Sequence, residues 1–174
     1  MSSMGPGGAL AGPSQATDVD IYEELKRLVE LLNRAEVPYA LCGGMAVAFH
    51  GYARFTKDID VLVRLEDVEH VTELVRRLGY TLSTGPLPFG TGTAQRREVH
   101  RISKVEGDDL LSLDLVVVTP ALEAVWRDRE TFMWLDTRIG VVSARGLAIM
   151  KRLAGRDQDL LDLRQLGLAD EDEA

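Results

Sequence analysis

The chain is nearly devoid of cysteine: one thiol, Cys42, in 174 residues. A lone thiol excludes an intramolecular disulfide and suits a reducing cytoplasm. In the apolar run YALC it is expected to be buried and inert. Long apolar runs are also missing. None reaches the ~20 residues of a membrane helix, so no membrane partner is expected. Positive charge is in deficit: 20 Lys and Arg against 28 Asp and Glu leave a net charge of -8. That argues against broad nucleic-acid binding, which needs cations facing phosphates. A local basic cluster for a nucleotide is still compatible with it. Histidine is scarce, and His50, His70 and His100 show no metal-ligand spacing. No Ser or Cys stands in a recognisable nucleophile setting. Trp126 and Trp134 read as core or interface residues rather than base-stacking platforms.

A length of 174 residues favours one domain. Residues 1–17, MSSMGPGGALAGPSQAT, combine Gly, Pro, Ser and Ala without charge or apolar period, and read as a disordered leader. They lack the basic start and continuous apolar core of a signal peptide. Residues 169–174, ADEDEA, read as a solvated acidic tail. The domain is therefore expected over 18–168.

Asp18 is the expected cap of a first helix, whose apolar positions Ile21, Leu25, Leu28, Val29 and Leu32 recur at helical spacing. VPYALC reads as a strand stopped by Gly43 and Gly44, MAVAFHGY as a short helix, and IDVLV as a β-branched strand. LEDVEHVTELVRRLGY reads as an amphipathic helix closed by Gly79. STGPLPFGTGT is expected to be a mobile loop, with the stretch Ser83 to Thr93 bordering the acceptor side. YTL and REVHRI around it read as strands, and EGDD turns into the long central strand LLSLDLVVV. Thr119-Pro120 starts a helix expected to run through ALEAVWRDRETF. MWLDTRIGVVS reads as a hairpin or strand. Ser143 caps the helix ARGLAIMKRLAG, and RDQDLLDLRQLGL forms a last short helix. The class is α/β, with helices around a small mixed sheet.

The chemistry gathers at carboxylates. Asp58 and Asp60 stand two apart at a strand entrance and so share one face, with Ile59, Val61 and Val63 on the other. Adjacent carboxylates repel unless a cation sits between them. Hard oxygen ligands suit Mg²⁺ or Mn²⁺. Asp114 interrupts an apolar strand, with Ser112 on its face and Leu111, Leu113 and Leu115 opposite. An Asp buried there needs a partner. Either it meets a buried Arg while Asp58 caps a turn, or it joins the pair from a neighbouring strand. In the second case the carboxylates would hold two ions ~3.5–4 Å apart and serve phosphoryl transfer.

Gly43-Gly44, between a strand and a helix, either stops the strand or offers backbone N–H groups to a phosphate. The pair is neither a P-loop nor a Rossmann fingerprint. Arg54 is a candidate phosphate contact or a surface cation, Thr56 shapes the turn, and Lys57 points to solvent. Lys151, mid-helix, either reaches the site with its ammonium or is solvated. Asp159 and Asp162 share a helix face, to orient Lys151 or Arg156 or to keep the helix soluble. His50 is a supporting candidate near the glycine turn.

Together these pieces resemble the nucleotidyltransferase superfamily, with its polymerase-beta-type fold: GG, a short helix, D-I-D on a strand, then Asp114 on a later strand. More closely, GGMAVAFHGYARFTKDIDVLV is similar to the AbiEii-type toxins and to lincosamide and aminoglycoside nucleotidyltransferases. KRLAGRDQDLLDLRQL looks like the Lys-bearing and Asp-bearing helices that close such domains. The resemblance spans roughly positions 20 to 166. It implies a mixed sheet flanked by helices, with further helices at the C-terminal end. It implies Mg²⁺, as two ions, or Mn²⁺, on Asp58, Asp60 and Asp114. A nucleoside triphosphate would face Gly43 and Gly44, with Arg54, Thr56 and Lys151 as further contacts. A nucleoside monophosphate would pass to an acceptor hydroxyl on a protein, a tRNA or a small molecule. Asp114 would take the hydroxyl proton. A toxin–antitoxin setting with a protein partner, in the cytoplasm, is also implied. Many members carry Gly-Ser where this chain has Gly43-Gly44, which removes one hydroxyl donor. The competing expectations are a non-catalytic member that binds a nucleotide or a partner, and a D-x-D glycosyltransferase. The short chain and the glycines ahead of the aspartates disfavour the latter.

Overall fold

The computed structural model describes residues 20–89 and 97–169. The expected leader, Asp18, the loop residues 90–93 and the tail beyond 169 lie outside the described residues. Helix α1 (Ile21–Arg34) is capped by Asp20, whose Oδ1 accepts from the Tyr22 N–H at 3.0 Å. Its buried stripe is Leu25, Leu28, Val29 and Leu32, as the apolar period predicts. Strand β1 (Ala40–Cys42) leads directly into α2 (Gly43–Phe49). The glycine pair therefore opens the helix rather than preceding it.

Strand β2 (Asp58–Val63) is followed by a 3₁₀ turn and α3 (Val68–Val75), and Gly79 ends this region at φ 92°. Strand β3 (Leu82–Phe89) stands where a loop was expected. It pairs antiparallel with β4 (Arg97–Glu106), with a register irregularity between Ser83 and Pro86. Because β3 is the last strand of the sheet, prolines that would break a central strand are tolerated there. Strand β5 (Asp109–Val117) is the long central strand.

After a 3₁₀ turn at Pro120–Leu122, α4 is short (Glu123–Arg127). The expected helix through Phe132 stops there, because Glu130–Trp134 is strand β6, hairpinned to β7 (Thr137–Val141). The hairpin turns on Leu135 and Asp136, at φ 45° and 63°. Two consecutive left-handed residues make a tight turn whose twist suits a hairpin, here without the usual glycine signal. Ser143 caps α5 (Ala144–Ala154), accepting from the Gly146 N–H at 3.0 Å, and α6 (Asp157–Gln165) ends the described fold.

One seven-stranded mixed sheet runs in the order β3-β4-β5-β2-β1-β7-β6. β2 and β5 are parallel, as are β1 and β7; the other neighbours are antiparallel. The core is formed by Ile59, Val61 and Leu62 of β2, Leu113 and Leu115 of β5, and the inner faces of α1, α2, α3 and α5. A buried polar knot ties α1 to the sheet. Lys104 Nζ donates to Glu24 Oε1 at 2.9 Å and to the Leu78 carbonyl at 3.0 Å, and Tyr80 Oη donates to Glu24 Oε2 at 3.0 Å. Among the described residues no helix is long and apolar enough to cross a membrane.

Candidate active site

Pairing register builds the site. β2 and β5 run parallel with Asp60 opposite Asp114 and Asp58 opposite Ser112. Residues opposite each other on adjacent strands point to the same face, so all three carboxylates lie side by side. The same row extends both ways: Arg101 on β4 faces Asp114, and Cys42 on β1 faces Asp60. Arg101, Asp114, Asp60 and Cys42 thus cross four strands in one line. The turn through Gly107 and Asp108 sets the β4–β5 register, since Glu106 faces Asp109 and, five pairs along, Arg101 faces Asp114.

The row floors a cleft of about 280 Å³ that is also lined by Gly43, Gly44, Arg54, Thr56, Lys151 and Arg156. Every residue singled out in the sequence as a catalytic, metal or nucleotide candidate therefore borders one cavity. Two that were missed border it as well: Arg97 and Arg101 of β4. His50 does not line this cleft; its Nε2 lies 2.7 Å from the Val142 carbonyl. His70 is exposed, as expected.

Gly43 is required twice. Its φ is +66°, and a β-carbon there would run into the Asp60 carboxylate, 2.7 Å from its Cγ. Gly44 has ordinary φ, but a β-carbon on it would stand 2.9 Å from Arg54 Nη2. The Arg54 guanidinium thus covers the second glycine. Thr56 Oγ1 donates to the Asp58 carbonyl at 3.3 Å and shapes the entry to β2.

The opposite wall is a buried ion cluster. Lys151, 4% exposed, donates to Asp159 Oδ1 at 3.1 Å and to Asp162 Oδ2 at 2.9 Å. Its stem packs and its ammonium points into the site region, rather than into solvent. Asp162 also accepts from Arg54 Nη2 at 3.0 Å; Arg54 Nε lies 2.9 Å from Asp162 Oδ1 but is not aligned for a hydrogen bond. Arg156 Nε donates to Asp159 Oδ2 at 2.7 Å. Burial alone would raise Asp159 and Asp162. Their hydrogen bonds from Arg156, Lys151, Gln158 and Arg54 outweigh it and carry both below the ordinary carboxylate range.

The carboxylate row behaves in the opposite way. Burial, then the negative charges of Asp114 and Asp58, push Asp60 up to about 7. Burial also raises Asp58, although Arg101 opposes it. Burial and Asp60 push the Cys42 thiol well above its usual range, which makes it the inert buried cysteine expected from its apolar run. Arg101 grips Asp114 with two parallel bonds, Nε to Oδ1 at 2.8 Å and Nη2 to Oδ2 at 2.9 Å. Asp114 thus both lies beside Asp60 and meets an arginine, one that is 41% exposed rather than buried.

Carboxylate oxygens are the right donors for Mg²⁺ or Mn²⁺, and burial together with the charges of Asp114 and Asp58 raises Asp60, a cost that such an ion would relieve. As they stand, no three His, Cys, Asp or Glu groups among the described residues are arranged to hold one. Arg101 bonds both oxygens of Asp114. The donor chemistry of the row fits such an ion.

Three solved structures are similar in fold. TM1012 from Thermotoga maritima, provisionally assigned as a nucleotidyltransferase, has a TM-score of 0.57 at 13% identity, covering 83% of this chain and 91% of that one. The lincomycin-bound lincosamide antibiotic adenylyltransferase LnuA has a TM-score of 0.54 at 16% identity, covering 84% and 96%. ANT(2'')-Ia in complex with adenylyl-2''-tobramycin has a TM-score of 0.57 at 14% identity, covering 83% and 86%. No curated protein matches the chain in sequence. A family model described as uncharacterised nucleotidyltransferase matches residues 14–133, from before α1 into β6 and through the whole carboxylate row, and the chain belongs to that nucleotidyltransferase family.

Proposed function

We propose that this protein transfers a nucleoside monophosphate from a triphosphate to an acceptor hydroxyl, with Asp58, Asp60 and Asp114 as the metal-holding and catalytic carboxylates. The observation that carries this reading is the strand register that sets Asp60 beside Asp114 in a cleft walled by cations. Mg²⁺, or Mn²⁺, would be held by these carboxylates and would neutralise charge on the phosphoryl oxygens. Gly43 and Gly44 present backbone N–H groups to the triphosphate. Arg54 lies over Gly44 and supplies the donor that a serine hydroxyl would otherwise give. Lys151 and Arg156 add positive charge to the cleft wall, and Thr56 keeps the loop before β2 in shape. Asp114 accepts the proton of the attacking hydroxyl. These parts position the reactants and offset charge, which is what in-line phosphoryl transfer requires.

LnuA and ANT(2'')-Ia are solved with antibiotic ligands, which supports a small hydroxylated acceptor here. The net charge of -8 weighs against a tRNA. A protein acceptor in a toxin–antitoxin pair and a cytoplasmic setting belong to the same proposal. A second reading is a non-catalytic member that binds a nucleotide or a partner. One observation favours it: Asp114 is engaged by Arg101 and is not free to act as a base.

The deciding experiment is label transfer. The protein is incubated with Mg²⁺, each α-labelled triphosphate and host extract, beside the variant Asp58→Ala/Asp60→Ala. Label on a protein, an RNA or a small molecule, absent with the variant, is the expected result and identifies base and acceptor together. Bound triphosphate with no label on any acceptor would give the answer to the binding reading.

A further inference from the structure

The carboxylate row ends in a cation that the chain itself provides. Arg101 engages both oxygens of Asp114, and its Nη2 is also 4.0 Å from Asp58 Oδ2. A forked guanidinium occupies the in-plane lone pairs of a carboxylate, the same ones an ion would need. The two cations cannot share Asp114. Two of the other cleft cations are held differently. Lys151 is buried between two carboxylates of α6, and Arg54 is pinned to Asp162. Neither of these touches the row. Arg101 does, from a separate strand, and 41% of its side chain is exposed. It therefore has solvent to swing into, with its backbone held in the β4–β5 ladder.

We infer that Arg101 is a built-in competitor for the divalent ion: it occupies Asp114 in the metal-free protein and must release it before an ion can bind. This rests on the carboxylates being the ion ligands. The consequence is a site in which Asp114 is paired when empty and which is weak toward a free ion. It is also specific to arginine. A lysine at 101 would keep the charge but lose the fork.

The test is Mn²⁺ binding without nucleotide, read by the electron paramagnetic resonance of free Mn²⁺. It compares the wild type, Arg101→Met and Arg101→Lys, each with and without Asp60→Asn. Methionine keeps much of the arginine stem and removes the charge. Arg101→Met is expected to bind Mn²⁺ on the order of tenfold more tightly than wild type, the change given by about 1.4 kcal/mol. Arg101→Lys should fall between, and Asp60→Asn should weaken binding in every background. Thermal unfolding reports whether each variant is folded; if Arg101→Met is not, the lysine variant carries the comparison. Equal or weaker binding without the fork, still lost with Asp60→Asn, overturns the role of Arg101 while the carboxylates stand as ligands. No saturable binding in any folded variant overturns both.

Discussion

At the scale of single residues, Asp60 is the most exposed to consequence. Its carboxyl sits near 7 in the fold against 3.8 as the ordinary value. A group raised in this way takes up a proton on folding between those two pH values. In the metal-free protein its contribution to stability therefore falls as pH rises from about 4 to about 7, and the full penalty applies above. Asp60→Asn removes the charge and keeps the shape. In chelator at pH 8 it should be more stable than wild type by up to about 4 kcal/mol, and the gain should shrink toward pH 5. Melting curves at both pH values check this, and an unchanged or lower Tm at pH 8 would sink it. The alternation of Asp58 and Asp60 with apolar residues was legible in the sequence, because period two assigns faces directly. The neighbourhood of Asp114 was legible only in part. Arg101 follows from the hairpin register about Gly107 and Asp108, and that register is readable once the EGDD turn is accepted. It was missed because Arg101 looks like any exposed strand cation until it is counted back from the turn. What α6 does with Lys151 was one of two open options, since helical spacing sets which residues share a face and not what that face meets.

At the scale of elements, α6 closes the cleft through Asp162, which is fully buried and joins Arg54, Lys151 and Gln158. Removing one partner of a buried charge cluster is costly, because the others keep their desolvation penalty. Asp162→Asn should lower stability by about 3–5 kcal/mol, measured by denaturant unfolding. Asp159 and Asp162 are held below the ordinary range, so their stabilisation is present above about pH 4 and is lost as pH falls through their folded values. The variant should therefore lose less stability than wild type between pH 4 and pH 2. A parallel acid profile would remove Asp162 from the account. The elements that sequence reading misplaced share a cause. β3 carries two prolines and a glycine, which local propensity assigns to a loop, and only its place at the sheet edge makes it a strand. The hairpin of MWLDTRIGVVS was expected, but the first three residues of β6, Glu130–Phe132, were assigned to the preceding helix, because nothing local in that run marks where the helix ends.

At the scale of the molecule, the family match ends at residue 133, while the cleft needs Lys151, Asp159 and Asp162. A chain cut after Gly155 would keep every strand and lose Asp159 and Asp162, the two carboxylates of α6 that pair with Lys151. It should be insoluble or melt far below the full chain, by roughly 10 °C or more for a domain of this size. A cut chain that melts like the full one would show that α6 is dispensable to the fold. The strand order carries a further meaning for how this protein comes into being. β1 emerges from the ribosome early, yet it lies between β2 and β7, whose sequence ends at Val141. Synthesis runs from the N-terminus at about 5–20 residues per second. For several seconds, then, each nascent chain carries its glycine turn and paired aspartates beside an open strand edge, before the last helix arrives to finish the charged wall.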